Sequence, residues 1–116
     1  MKIPGKTIVA NFAGGHMTVR FISPHIIDAG AVANIAGEIE SLLRKYRVQL
    51  LILDFTGVQQ LSSQMFGQLL HLRKYMSERS GEARVCSMTG GVLHAFKLCR
   101  LEKVIPLFKT EKEALA

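Results

Sequence analysis

The order of apolar and polar positions predicts a β-hairpin at the start of the chain. Residues 7–12 and 16–22 read as two short strands, and Gly14 and Gly15 between them are typical of a tight hairpin turn. Pro24 then interrupts the strand pattern, because proline cannot donate a backbone hydrogen bond to a neighbouring strand.

Two longer segments predict amphipathic helices. In the first, apolar residues recur at helical spacing from Asp28, a typical N-cap residue, to about Arg47. Its predicted inward residues are Ala31, Val32, Ile35, Ile39, Leu42, Leu43 and Tyr46. The second helix is predicted from about Ser63 to Arg79. Its predicted inward residues are Met65, Phe66, Leu69, Leu70, Leu72 and Met76.

The remaining segments predict an alternation of strands and helices. Residues 48–55 are almost continuously apolar, which is typical of a central strand buried on both faces. A strand at 83–88, a helix at 89–99, a strand at 104–108 and a terminal helix from about Thr110 complete the order. This order predicts an α/β fold with a mixed central sheet, an antiparallel edge from the N-terminal hairpin and about four helices.

Length and composition favour a single domain over residues 1–116. The 116 residues are 48% hydrophobic, which is enough for one compact core. Neither a leader peptide nor an apolar run long enough to cross a bilayer is recognisable, so we expect a cytoplasmic protein. Cys86 and Cys99 lie in apolar stretches without metal-ligand spacing, which predicts two buried, inert thiols.

The net charge of +6 and the pI near 9.7 are compatible with an anionic partner such as nucleic acid, anionic lipid or an acidic protein. Many of the cations fall near predicted helix ends, where the helix dipole favours positive charge. They are Arg44, Lys45, Arg47, Arg73, Lys74, Arg79, Lys97, Arg100 and Lys103. Nucleic-acid binding is not expected, because aromatic and basic residues do not alternate along the chain.

Catalytic, metal and cofactor sites are not predicted. Ser63 and His71 are separated by about 12 Å along a helix and cannot share a proton. Asp54 lacks the neighbouring carboxylates that Mg²⁺ needs, so its expected role is to bind backbone groups in the following turn. The four histidines show no ligand spacing, and Gly90 and Gly91 belong to no complete phosphate-binding motif. We therefore expect a binding protein without enzymatic activity.

Residues 51–70, LILDFTGVQQLSSQMFGQLL, resemble the signature of STAS domains. The family pattern there is an apolar strand, Asp-Leu-Ser-Gly-Val, and a helix start of the form apolar-Asp-Ser-Ser-Gly-Leu-Gly. Residues 92–108 resemble the last third of the family, and the order of elements agrees along essentially the whole chain. The resemblance is to anti-sigma-factor antagonists and implies a STAS-like fold.

The resemblance implies that, in those antagonists, a serine at this helix start is phosphorylated by an anti-sigma factor that is also a GHKL-type kinase. The unphosphorylated antagonist binds the anti-sigma factor and frees the sigma factor, and the phosphorylated form dissociates. Ser63 occupies the matching position, with Ser62 as the alternative. A phosphate is compatible with a helix N-terminus, yet its charge and bulk would disrupt a docked interface.

Two departures from the family pattern keep an alternative open. Ser62 stands where the family has an acidic residue, and Gln64-Met65-Phe66 stand where it has Ser-Gly-Leu. Both serines could instead be helix caps of a STAS scaffold or a lipid-transport accessory subunit that is not phosphorylated. The predicted protein is a monomer or weak dimer. Its predicted partner-binding surface comprises Asp54, Thr56, Gly57, Ser62, Ser63, Gln64, Gly67 and His71.

Overall fold

The computed structural model describes all 116 residues and contains eight strands and four α-helices. The strands are β1 (Lys2–Pro4), β2 (Ile8–Ala13), β3 (His16–Phe21), β4 (His25–Ile26), β5 (Leu50–Asp54), β6 (Gln60–Leu61), β7 (Glu82–Cys86) and β8 (Leu107–Phe108). The helices are α1 (Ala29–Lys45), α2 (Ser63–Glu78), α3 (Gly90–Leu98) and α4 (Glu111–Leu115), with a short 3-10 helix at Leu101–Lys103.

Six strands form a mixed sheet in the order β1-β2-β3-β5-β7-β8. Strand β2 pairs antiparallel with β1 and β3, and the pairs β3–β5, β5–β7 and β7–β8 are parallel. Gly14 and Gly15 turn the β2–β3 hairpin with φ of +57° and +82°, values that glycine adopts without a steric penalty. The predicted fold class is confirmed, including the antiparallel edge from the N-terminus and the four helices.

Strand β5 is buried on both faces, as its continuous apolar run predicts. Leu51 and Leu53 belong to the large core that α1, α2 and α3 share with one face of the sheet. Leu50 and Ile52 belong to a smaller cluster with Cys86 and with Ala114 of α4. The main helices therefore pack on one face, and the short α4 packs against β5, β7 and β8 on the other.

Two predicted burials are wrong. Leu70 is 41% exposed, because the buried stripe of α2 follows Met65, Leu69, Leu72 and Met76 and the residue after Leu69 is turned away from it. Cys99 is exposed at the C-cap of α3, whereas Cys86 is buried. Burial raises the pKa of the Cys86 thiol to about 11.

Several boundaries also differ from the sequence-based expectation. Helix α1 ends at Lys45 and α2 at Glu78. The strand expected over 104–108 is limited to Leu107–Phe108, because the chain first forms the 3-10 helix at Leu101–Lys103. Strands β1, β4 and β6 were not predicted.

Candidate functional site

The candidate site is the α2 loop, residues 55–62, together with the N-terminal half of α2. Asp54, the last residue of β5, contacts this loop from the protein interior, and its side chain has no exposed surface. Its Oδ1 accepts hydrogen bonds from the Thr56 backbone N–H at 3.0 Å and from the Thr56 hydroxyl at 2.6 Å. The prediction that Asp54 binds groups of the following turn is confirmed. Its predicted place on the partner-binding surface needs correction, because a buried carboxylate offers a partner no contact.

Asp54 stays ionised because its hydrogen bonds outweigh its burial. Burial alone would raise its pKa, but the hydrogen bonds from Thr56 and the charge of Arg20 hold the pKa of Asp54 below its ordinary value of 3.8. Arg20 Nε donates to Asp54 Oδ2 at 2.9 Å. A second guanidinium nitrogen of Arg20 lies 3.9 Å from Glu111 Oε1, so Arg20 lies between Asp54 and α4.

Residues 55–58 form a tight turn that exposes Thr56 and Gly57. The Val58 N–H donates to the Phe55 carbonyl at 3.0 Å, and Gly57 has φ of +80° at the third turn position. This is the geometry of a type II turn, which favours glycine at that position. Nothing lies within 4 Å of the position that a Gly57 Cβ would occupy, so the tip of the turn faces open space.

A short two-stranded ladder holds the second half of the loop. Strands β4 and β6 pair in parallel, with His25 opposite Gln60 and Ile26 opposite Leu61. The Gln59 N–H donates to the Pro24 carbonyl at 2.7 Å. The start of α2 is thereby fixed to the segment that precedes α1.

The two serines at the start of α2 have different roles. Ser62 is the N-cap: its hydroxyl oxygen accepts from the Met65 N–H at 3.4 Å, and its own N–H donates to the Ile26 carbonyl at 2.9 Å. Ser63 is the first helical residue, is exposed, and its hydroxyl makes no hydrogen bond within the protein. The interpretation of both serines as caps is therefore correct for Ser62 and wrong for Ser63.

The other predicted helix residues extend an exposed face from Ser63. Gln64, Gly67 and His71 are exposed, and residues four apart share one side of a helix. His71 Nε2 lies 3.3 Å from Glu40 Oε1 on α1, so the far end of this face borders the neighbouring helix. The structure thus places the exposed loop tip and the predicted α2 residues along one loop-helix unit.

A groove beside this unit was not predicted from the sequence. It has a volume of about 420 Å³ and lies between the β6 segment and α3, with Leu61, Val92 and Ala95 in its lining. Ile27 lines the groove from the segment before α1 and is 56% exposed. The only sequence signal for this groove was the apolar Ile27, directly before the helix cap Asp28. An apolar residue at that position is also typical of a contact with the first turn of the helix, so it did not identify a groove.

The structure contains no group of three or more His, Cys, Asp or Glu side chains placed to hold a metal ion. None of its helices is both long and apolar enough to cross a membrane.

Several solved structures share this fold, and a family model matches the sequence. A STAS-domain anti-sigma-factor antagonist from Planctomyces limnophilus is similar at 19% identity and a TM-score of 0.83, over 93% of this chain and 94% of that one. The anti-sigma factor antagonist SpoIIAA in its unphosphorylated form is similar at 18% identity and 0.78, over 93% and 92%. The phosphorylated form of the Bacillus cell-fate determinant SpoIIAA gives 17% and 0.70, over 93% and 96%. These low identities show the fold alone.

A search of curated proteins found no match to the chain. Among family models, that of the STAS domain matches residues 7–114.

Proposed function

Because this chain belongs to the STAS domain family, we propose that it is an anti-sigma-factor antagonist whose partner is an anti-sigma factor of the GHKL-type serine kinase class. The partner docks on the α2 loop and the start of α2. Phosphorylation of Ser63 releases it. The observation that carries this proposal is the exposed Ser63 hydroxyl, which is free of intramolecular hydrogen bonds at the first position of α2.

The local chemistry supports Ser63 as the modified residue. The first N–H groups of a helix lack intrahelical partners and carry a partial positive charge, so a phosphate on Ser63 is tolerated by the fold. The same phosphate adds nearly two negative charges to the centre of the proposed interface. Ser62 suits modification less well, because its hydroxyl oxygen is the helix cap.

The proposed interface differs in part from the surface predicted by sequence. Thr56 and Gly57 present the loop tip, and Gln64, Gly67 and His71 extend the exposed face of α2 from Ser63. The groove lined by Leu61 and Ala95 continues this surface toward α3 and offers a partner an apolar side-chain site. Asp54 supports the interface from beneath through Thr56.

We also propose that the chain works as one domain, without catalysis of its own, in the bacterial cytoplasm, as a monomer or weak dimer. The large core supports the single domain, because one connected cluster of 26 buried residues includes positions from Ile8 to Ile105.

A second candidate is a STAS scaffold or lipid-transport accessory subunit that is not phosphorylated. The position before Ser63 is the uncharged Ser62, whereas the family pattern has an acidic residue there. The first turn of α2 carries no acidic residue either. The +6 net charge also suits an anionic partner.

Incubation with a panel of GHKL-type anti-sigma kinases and ATP separates the two candidates. We expect one kinase to transfer a single phosphate to the wild type and to Ser62→Ala, and none to Ser63→Ala, as measured by mass spectrometry of the intact protein and its peptides. Phosphorylation of another residue would leave the scaffold as the better candidate. So would the absence of phosphorylation by every kinase that binds the protein.

Calorimetric titration against the bound kinase tests the interface itself. Ser63→Glu is expected to lose about a hundredfold or more in affinity, because an unpaired charge buried in an interface costs several kcal/mol. Ser63→Ala is expected to bind as the wild type does. Equal affinities of Ser63→Glu and wild type would remove Ser63 from the interface.

A further inference from the structure

A second concave surface lies at the opposite end of α2 from Ser63. It occupies about 380 Å³ between the C-terminal ends of α1 and α2. Because α2 has 16 residues, the two surfaces are separated by about 24 Å of helix. The polar side chains of this basic groove are Tyr46, Arg47, Gln49, Tyr75 and Arg79.

The basic groove contains two full positive charges and no carboxylate. Arg47 and Arg79 can only donate hydrogen bonds, and the two tyrosine hydroxyls and the Gln49 amide add further donors. Nearby acidic residues do not neutralise it. Glu40 is close to His71 and Glu82 is paired with Arg84, while Glu78 makes no ion pair and is not in the lining. The charge and the donors together favour an anionic ligand.

Helix capping accounts for only one of the two arginines. Arg79 donates to the Tyr75 carbonyl at 3.2 Å and lies 3.6 Å from the centre of the Tyr75 ring. Arg47 follows the end of α1 by two residues and makes neither a hydrogen bond nor an ion pair within the protein. The charge of Arg47 is therefore available to a group from another molecule.

We propose that the basic groove binds an acidic segment of a partner protein, whose Asp or Glu side chains pair with Arg47 and Arg79. A guanidinium can bind a carboxylate through two parallel hydrogen bonds, which gives this pairing a defined geometry. Arg44 and Lys45 in the last turn of α1 add positive charge that attracts such a segment.

The geometry favours an acidic peptide over nucleic acid or a membrane surface. Single-stranded nucleic acid binds through bases stacked on free aromatic rings. One face of Tyr75 is covered by Arg79, and Tyr46 already packs against Phe12 with ring centres 5.2 Å apart. The groove is concave and occupies about 380 Å³, which accommodates a few side chains of a peptide but lies recessed from a planar bilayer surface.

Fluorescence anisotropy with a labelled poly-glutamate peptide at low salt tests this binding. We expect saturable binding to the wild type and at least a tenfold loss of affinity in the double variant Arg47→Gln, Arg79→Gln. Arg47→Gln alone should lose affinity as well. It removes no intramolecular hydrogen bond or ion pair, so it keeps the test available if the double variant proves unstable. The matched control is Lys109→Gln, Lys112→Gln, which removes two exposed, unpaired charges near α4 and should change affinity less than twofold.

Equal losses in the groove variants and the control would show that net charge alone attracts the peptide, and would overturn the proposal. Tighter binding of a labelled oligothymidylate or of phosphatidylserine vesicles, with the same dependence on Arg47, would overturn the choice of an acidic protein segment. Ser63→Glu serves as a second control. We expect this variant to bind the peptide with unchanged affinity, which would show that the peptide binds at the basic groove and not at the surface around Ser63.

Discussion

Arg20 and Asp54 occupy opposite positions on the paired strands β3 and β5, and their side chains meet at 2.9 Å. The Arg20 side chain is 56% exposed, whereas that of Asp54 has no exposed surface. A surface arginine therefore neutralises a buried carboxylate at the C-terminal end of β5, where the α2 loop begins. The ion pair links the register of the sheet to the conformation of the proposed partner-binding loop.

The pH dependence of stability should report this ion pair. Because folding lowers the pKa of Asp54, its contribution is complete above the unfolded value of about 3.8 and is lost as pH falls through the lower folded pKa. Asp54→Asn should reduce the free energy of unfolding at pH 7 by about 1–3 kcal/mol, and this difference should shrink at acidic pH. Urea denaturation from pH 7 to pH 2 measures it.

Asp28→Asn is the matched control for that experiment. Asp28 is the only other aspartate, and it caps α1 by accepting from the Gly30 N–H at 2.9 Å. Asparagine caps helices about as well as aspartate, so little change is expected. Parallel stability profiles for wild type and Asp54→Asn down to pH 2 would contradict a lowered pKa at Asp54.

The two neighbouring serines should respond differently to alanine. Ser62→Ala removes the cap of α2 and should destabilise the protein by about 0.5–1 kcal/mol, in the lower part of the range for caps because the bond is 3.4 Å long. Ser63→Ala removes a hydroxyl without an intramolecular partner and should leave the thermal midpoint nearly unchanged. A larger loss for Ser63→Ala than for Ser62→Ala would reverse the assignment of the cap.

Two leucines provide a matched test of burial. Leu53 of β5 is 1% exposed in the large core, and Leu53→Ala should cost about 2–5 kcal/mol in the free energy of unfolding. Leu70 of α2 is 41% exposed, so Leu70→Ala should change it by less than about 1 kcal/mol. Chemical denaturation of both variants decides the matter. Similar losses would mean that α2 packs with a different face toward the sheet.

Two glycines of the proposed interface should have opposite effects when replaced by alanine. Gly57→Ala should destabilise the protein by about 1–2 kcal/mol, because φ of +80° is strained for a residue with a Cβ. Gly67→Ala should stabilise it by about 0.5–1 kcal/mol, because Gly67 lies inside α2 with nothing within 4 Å of the added Cβ. Thermal melts measure both changes, and a stabilising Gly57→Ala would rule out the type II turn.

Local patterns predict the elements that are long enough to show a period. The periodicity of α1 and α2 and the continuous apolar run of β5 each extend over several residues, so these elements could be predicted from the local pattern. Strands β4 and β6 have two residues each, and their pairing depends on segments more than thirty positions apart. No periodicity is measurable over two residues, and the ladder was therefore missed.

The sequence predicted which segment forms the candidate site, but not which of its side chains are buried. The resemblance to STAS domains predicted a partner-binding site around Ser63, which stays a prediction. The hydrogen bonding of Asp54 in the following turn was correctly predicted. Asp54 is buried and paired with Arg20, which comes from another strand, and sequence spacing carries no information on that contact. The same holds for the groove beside α3, which is formed by three segments that are distant in sequence.

The β4–β6 ladder restricts how an enzyme can recognise Ser63. Kinases that act on flexible segments read a linear motif in an extended chain. Here the residue before Ser63 is both a helix cap and a hydrogen-bond donor to Ile26, so the serine is presented on a preformed backbone. If the proposed function holds, we expect a kinase specific for Ser63 to recognise the folded surface around it, and a short synthetic peptide of the same sequence to be a poor substrate.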